Sequence, residues 1–340
     1  MALLFIDGFD HYATADITKK WTASSGSVIN ASAGRGGGGA LGVGAGGSNT
    51  KRVLVGSYGT LIAGFRYQPN ALHSANNIIF RFDEGATNHI MLRLNNSTSK
   101  IDVYRGGSTL LGSTASTFAL SAFTYVEIKV VIHDTTGSIT IKLNGSGTAD
   151  LTLTNIDTRN GGTGVIDTIY FGDPGTFAGN AFYDDFYLVD TSGSTNNDFL
   201  GDCRVDTLLP NGDGNYSQFT PSTGSTHYTL VDESTPNTTD YNDGAAVGDR
   251  DSYTMGNLTA LTSQTVYGVQ VNAALNKDDA GSKGAATFVR SSGTNGDGSG
   301  AALSTSQTYV RQIFETDPNG SIAWTESTVN AMEAGVKVTA

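Results

Sequence analysis

The chain has one cysteine, Cys203, in 340 residues. That excludes an intrachain disulfide framework and leaves apolar burial and sheet hydrogen bonds to hold the fold. Charge is sparse at 15% of residues, and positive charge is sparser: 20 Lys and Arg stand against 32 Asp and Glu, a net charge of -12. A surface of that sign repels a phosphate backbone, so nucleic acid is not an expected partner. No apolar run approaches the ~18 residues of a membrane span, and membrane insertion is not expected. The start, "MALLFIDGFD", has no basic segment and meets Asp7 after a short apolar run. It does not read as a secretory signal, and the expectation is assembly in a cytoplasm.

Signatures of catalysis are missing too. No Gly-x-Ser-x-Gly elbow occurs. The stretch "GRGGGGALGVGAGG" is followed by no Gly-Lys-Ser/Thr, so it is not a phosphate loop, and residues 39–43 read as a thin strand between turns. Among the five histidines, His133 ends a strand beside Asp134 and reads as a turn-flanking ring. His11, His73, His89 and His227 stand apart, without the spacing of zinc ligands. No cofactor is expected.

What the chain does have is 44 glycines and many short segments that alternate with period two, such as "TLIAGFRY", "HIMLRL" and "VIDTIYFGD", each ending in Gly, Asn or Asp. This is the signature of an all-β sandwich. In "TYVEIKVVIHDTTGSITIKLNG" a four-residue loop over residues 134–137 sets Ile132 opposite Ile139, Val130 opposite Ile141 and Lys129 against Lys142. The run "FYDDFYLVD" (182–190) reads as a strand, which sends the side chains of Asp184 and Asp185 to opposite faces. Two carboxylates acting on one bond must converge on it across roughly 5–10 Å, so this pair is read as scaffold.

The composition shifts at "TSGSTNN" (191–197), which reads as a linker and divides the chain into domains at 1–193 and 194–340. Residues 198–243 read as long irregular loops. Beyond them "TVYGVQVNAAL", "AATFVR" and "QTYVRQIFE" read as strands of a smaller β-rich domain. "TESTVNAMEAG" reads as one short helix with Thr325 as N-cap and Gly335 as its stop. Val329, Met332 and Ala331 form an apolar face on that helix, a candidate for oligomer contact.

Two turns place oxygen side chains at alternate positions: Asn211, Asp213 and Asn215, and then Asn295, Asp297 and Ser299. They match the first half of a calcium loop, but Ser222 and Ser306 stand at the twelfth position. These are weak calcium candidates, more simply read as turns. Trp21, Tyr67 and Tyr104 are candidates for stacking on sugar rings, against a core role for each.

Taken together, "LLFIDGFDHY" with "KKW" behind it, "GGALGV", "IKLNG" and "FYDDFYLVD" resemble the concanavalin A-like, laminin G-like jelly-roll sandwiches of tailed-bacteriophage virion proteins. The blocks "DFLGDCRVDTLLPNGDG" and "DPNGSIAWTESTVNAMEAGVKV" extend the resemblance along the whole chain. It implies that the first and last strands of the sandwich lie side by side, with one of Asp184 and Asp185 facing solvent and the other at the sheet interior or rim. It also implies a non-enzymatic virion structural protein on the tail, a tail fibre or the capsid surface. The expected partners are other virion proteins, further copies of the chain (a trimer in a fibre) and host-surface glycan. The alternative is a carbohydrate-active enzyme or adhesin acting on host polysaccharide. β-Glucanases of this fold carry Glu-x-Asp-x-x-Glu on one strand. The nearest match here, Glu315-Thr-Asp317-Pro-Asn-Gly320, lacks the final Glu, contains proline and lies outside the first domain.

Overall fold

The computed structural model describes residues 2–44, 46–71, 77–173, 180–258 and 264–340. Two compact units divide at Val205/Asp206.

In the first unit the strands are β1 (Leu3–Asp7), β2 (Ala23–Ser25), β3 (Val28–Asn30), β4 (Ala40–Val43), β5 (Asn49–Tyr58), β6 (Thr60–Pro69), β7 (Asn77–Glu84) and β8 (Thr87–Leu94). They continue with β9 (Ile101–Arg105), β10 (Thr109–Ser113), β11 (Thr124–Val131), β12 (Gly137–Leu143), β13 (Leu151–Ile156), β14 (Ile166–Gly172) and β15 (Ala181–Val189). One antiparallel sheet runs β13-β12-β11-β6-β15-β4-β3 with β1 also on β15, and the other runs β10-β9-β8-β7-β14-β5-β2. The chain passes repeatedly from one sheet to the other, making the jelly-roll sandwich read from the sequence. Period-two alternation aims one set of side chains inward. These interlock as an aromatic core in which Phe171 lies 4.6 Å from Tyr183, 5.1 Å from Phe80 and 5.1 Å from Phe186, centroid to centroid.

The terminal strands do pair, Asp7 with Phe186 and Leu3 with Val189. β15 therefore has two partners along one edge: β4 over Ala181–Tyr183 and β1 from Phe186 onward. Between them its register with β6 slips, Asp184 facing Arg66 but Tyr187 facing Gly64. The extra residue is a β-bulge, and Asp185 takes it up in the left-handed region at φ 52°. This overturns strict alternation through the aspartates. Both are buried, at 3% and 1% exposure, so neither faces solvent.

The β11–β12 hairpin also differs from expectation. Val130 faces Ile139, Ile128 faces Ile141, and Lys142 is opposite Glu127, not Lys129. A shift of two residues keeps the inward face and removes the like-charge pair. Ile132 and His133 leave the ladder because the His133 Nδ1 accepts the backbone N–H groups of Thr135 and Thr136, both at 3.0 Å, and so builds a longer turn.

The expected boundary at 193/194 moves as well. Residues 198–205 form a strap on the first unit: Leu200 N–H donates to the Tyr187 hydroxyl (3.2 Å), Gly201 N–H to Glu127 Oε1 (2.8 Å) and Val205 N–H to Asp185 Oδ1 (2.8 Å).

In the second unit a sheet runs Pro210–Ser217, Arg250–Met255, Glu333–Val338, Gly284–Ser291 and Thr294–Asp297, with Ala301–Ala302 also on Gly284–Ser291. Val269–Leu275 and Thr308–Phe314 form a separate two-stranded antiparallel sheet. The region read as irregular loops thus contributes a sheet strand, with Pro210 at its first position, where a missing N–H is tolerated. Thr325 caps the helix as expected, its hydroxyl accepting Thr328 N–H at 3.1 Å. The helix, however, is only Glu326–Asn330, and Gly335 sits inside a strand, not at its end. Val329 and Met332 are buried with Trp324, Val271 and Val289, while Ala331 is exposed. The helix face proposed for oligomer contact is spent on the unit's own core.

Candidate functional site

Six strands of the sandwich end or begin around one narrow cleft that is open to solvent and has room for about one water-sized group. Its wall is polar at Tyr67, Asn77, Asp173 and Asn180, and apolar at Val43, Ile78 and Ala181. Gly172 makes the close approach possible: at φ 72° a side chain there would be strained and would overlap the Ser48 carbonyl. Behind the cleft Tyr183 spans the sandwich, its hydroxyl donating to Ile79 O at 3.0 Å, and its ring lies 5.3 Å from that of Tyr67.

Tyr67 and Asn77 stand out chemically. Tyr67 is 1% exposed, burial pushes its phenol up so that it stays protonated, and its hydroxyl has no hydrogen-bond partner among the described residues. Asn77 is 5% exposed; its Nδ2 reaches Ala71 O at 3.5 Å, while its Oδ1 has no partner. Buried polar atoms are normally satisfied, so these two are available to a ligand. Asp173 is held in an ion pair with Arg81, whose guanidinium also stacks 4.8 Å from the Tyr170 ring.

The other sequence candidates are placed elsewhere. Trp21, 1% exposed, is core: its indole N–H donates to Asp7 Oδ2 at 2.8 Å and its ring packs on Phe5 and Phe171. Asp7 also accepts the Tyr12 hydroxyl (2.7 Å) and Phe9 N–H (3.0 Å) and pairs with buried Lys20 at 3.1 Å. The motif "FIDGFDHY…KKW" is thus a buried polar knot. Tyr104 is half-buried under Arg93, 4.4 Å from its ring, and outside the cleft.

Asp184 and Asp185 meet on one partner after all. Asp184 Oδ2 accepts Arg35 N–H at 2.6 Å, and Asp185 Oδ2 pairs with Arg35 Nε at 2.9 Å. The bulge brings together what alternation would have separated. Arg35 arrives on the glycine loop 34–39, which packs so tightly that side chains at Gly34 and Gly39 would overlap backbone.

The calcium candidates lie on strands and are otherwise engaged. Asn211 accepts the Thr254 hydroxyl (2.8 Å), Asp213 accepts Tyr228 N–H (2.7 Å), and Asn215 donates its N–H to Glu333 (2.8 Å). Asn295 donates to the Tyr216 hydroxyl (2.9 Å). Asp297 binds both Arg250 nitrogens at 2.7 Å and Lys337 at 2.9 Å, and hydrogen bonds from Arg250 hold its carboxyl down at about 2. Alternate residues of a strand are stretched in a row, unlike the wrapped loop calcium needs. Among the described residues no group of three or more His, Cys, Asp or Glu is placed to hold a metal.

Three of the histidines read as standing apart have acidic or basic neighbours. His11 approaches Lys20 (3.3 Å), His89 pairs with Glu84 (3.2 Å) and His227 with Asp251 (2.9 Å). His73 lies outside the described residues. These pairs are long-range or cross-turn, so spacing in the chain could not show them. The cleft, too, had only Tyr67 as its signal.

No family model and no curated protein matches the chain. Among solved structures it is similar to the cellulose induced protein Cip1 at 14% identity and a TM-score of 0.39, covering 50% of this chain and 91% of that one. It is similar to domain 4 of AbnA, a GH43 extracellular arabinanase of Geobacillus stearothermophilus in complex with arabinotriose, at 14% identity and a TM-score of 0.41, covering 56% and 92%. A Trypanosoma rangeli sialidase in complex with 2,3-difluorosialic acid aligns at 13% identity and a TM-score of 0.35, covering 44% of this chain and 25% of its own. The chain spans about a quarter of that sialidase.

Proposed function

We propose that this is a non-enzymatic, glycan-binding structural protein displayed on a virion surface, with a hydroxyl of one sugar unit entering the cleft at Tyr67, Asn77 and Asn180. One observation carries the reading: a neutral phenol donor and an amide acceptor, both buried and both without partners among the described residues, face a cleft with an apolar wall. Sugar hydroxyls donate and accept at once, while their C–H faces pack on apolar side chains. Hydrolysis by paired carboxylates needs two of them across the scissile bond. Asp173 is the one carboxylate among the described lining residues, and Arg81 already neutralises it. The virion setting rests on the resemblance of the motifs, one of which is the knot around Asp7.

A glycan array combined with a reducing-sugar assay tests the binding. The expected result is retention of a glycan without turnover, weakened about tenfold or more by Tyr67→Phe or Asn77→Ala, since each removes one hydrogen bond to the ligand. Turnover would establish the carbohydrate-active enzyme instead. Binding unchanged in both variants would place the ligand elsewhere, and absence of the protein from purified particles would remove the virion assignment.

A further inference from the structure

The face of the β6–β11–β15 sheet turned away from the core carries Tyr125, Glu127, Tyr187, Asp184 and Asp185, all at 3% exposure or less. Such a row is normally wet. Here the strap 198–205 covers it, although every residue of the strap is itself half-buried or exposed. Its hold is almost wholly polar and aimed at acids: Val205 N–H on Asp185, Gly201 N–H on Glu127, Leu200 N–H on the Tyr187 hydroxyl that in turn donates to Glu127 at 2.5 Å, Asp202 on Arg35 and Lys129 on Asp198 at 3.1 Å. Upstream, residues 191–195 are exposed. A segment held by a few hydrogen bonds beside an exposed stretch belongs to the low-stability end of a fold and opens locally.

We propose that residues 198–205 form a proton-controlled clasp, closed while the Asp184–Asp185 pair retains a proton and released when both carboxyls ionise. The charges around the pair support this. Arg35 is the guanidinium in direct contact, and it also serves Asp202. Arg66 lies next in range, stacked 4.3 Å from the Phe123 ring. Asp10, Asp202, Glu127, Tyr125, Tyr187 and Cys203 also face the pair and are neutral or negative when they act, while the cations Lys129 and Lys142 meet the strap farther along, at Asp198 and Phe199. Burial pushes both carboxyls upward, and Asp185 adds to the rise at Asp184; the Val205 N–H, Arg35 and Arg66 oppose it at Asp185. Arg35 divides its charge between Asp185 and Asp202, and Arg66, opposite Asp184 in the ladder, acts on all three carboxyls. A carboxyl raised above its unfolded value stabilises the closed form at low pH and loses that contribution as pH rises through the folded value. The Val205 N–H favours an ionised Asp185 and resists release, so what drives opening is the hydration that buried charge gains when the strap lifts, which uncovers Tyr125, Glu127 and Tyr187.

Cys203, the one cysteine of the chain, lies within the strap and reports its opening. In the full-length protein, maleimide labelling of Cys203 is measured from about pH 5.5 to about pH 8.5, each rate divided by that of the urea-unfolded chain at the same pH to remove ordinary thiol ionisation. The ratio is expected to rise about tenfold or more with pH, and to stay flat within about twofold in Asp184→Asn and in Asp185→Asn, either of which suffices if the other fails to fold. Hydrogen exchange of the Gly201 and Val205 amides, corrected for intrinsic rate, should rise in parallel in the unaltered protein while the Ile128 amide does not. A ratio constant with pH, an equal rise in the folded variants, or exchange that rises together at Ile128 would overturn the clasp.

Discussion

Asp7 has no solvent exposure, yet three hydrogen-bond donors and the Lys20 ammonium keep it ionised. Burial alone would raise its carboxyl; Lys20, His11, Tyr12 and the Phe9 N–H outweigh that and hold it below the usual range. Removing one partner of such a pair leaves the other buried and uncompensated. Asp7→Asn should therefore cost roughly 3–5 kcal/mol in urea unfolding, and adding Lys20→Met should recover much of the loss. Recovery in the double variant is the informative result, because it separates a stranded Lys20 from a merely misshapen core. The same knot explains why Trp21 reads as a sugar platform in sequence and as core in space: its polar edge is satisfied from inside.

At the scale of single elements, the loop 160–164 is fastened by the side chains of Glu84 and His89. Glu84 accepts Thr163 N–H (2.9 Å), the Thr163 hydroxyl (2.8 Å) and Gly164 N–H (3.1 Å), and these bonds hold its carboxyl down at about 2. His89 Nδ1 accepts Asn160 N–H at 3.0 Å, which leaves its Nε2 to donate to Glu84. A depressed carboxyl stabilises above its unfolded value, and the contribution fades as pH falls from about 4.5 toward 2. Glu84→Gln should lower stability by ~1 kcal/mol near neutrality and by little at pH 2, leaving a flatter acid limb in thermal unfolding. An unaltered acid limb would mean that the loop is held by its own turns.

For the whole molecule, the position of the strap decides where the sandwich ends. A fragment ending at Asp190 lacks the donors that meet Tyr187, Glu127 and Asp185, whereas one ending at Val205 keeps all three. Both should give a β-type far-UV spectrum, with the shorter one about 2–3 kcal/mol less stable in urea at the same pH. Equal stability would mean that the strap contributes nothing to the first unit.

The resemblance of its motifs implied the pairing of the terminal strands; by itself the sequence determined the all-β class, the division into two units and the inward face of the β11–β12 hairpin. Each follows from period-two alternation, turn residues and composition, which are local and survive any tertiary arrangement. Only the tertiary structure decided the rest. Asp184 and Asp185 converge because β15 changes partner between β4 and β1, and the bulge this requires breaks the alternation that the sequence alone suggests. "TSGSTNN" has a linker's composition, but the residues after it are claimed by acceptors on strands, Glu127 lying 74 residues before Gly201 and Asp185 lying 20 before Val205. The cleft joins Tyr67, Asn77 and Asn180 across more than 100 residues, a proximity that exists only once both sheets have closed. Physical contact between distant segments leaves no periodic trace in the chain, and the cleft is made of such contacts.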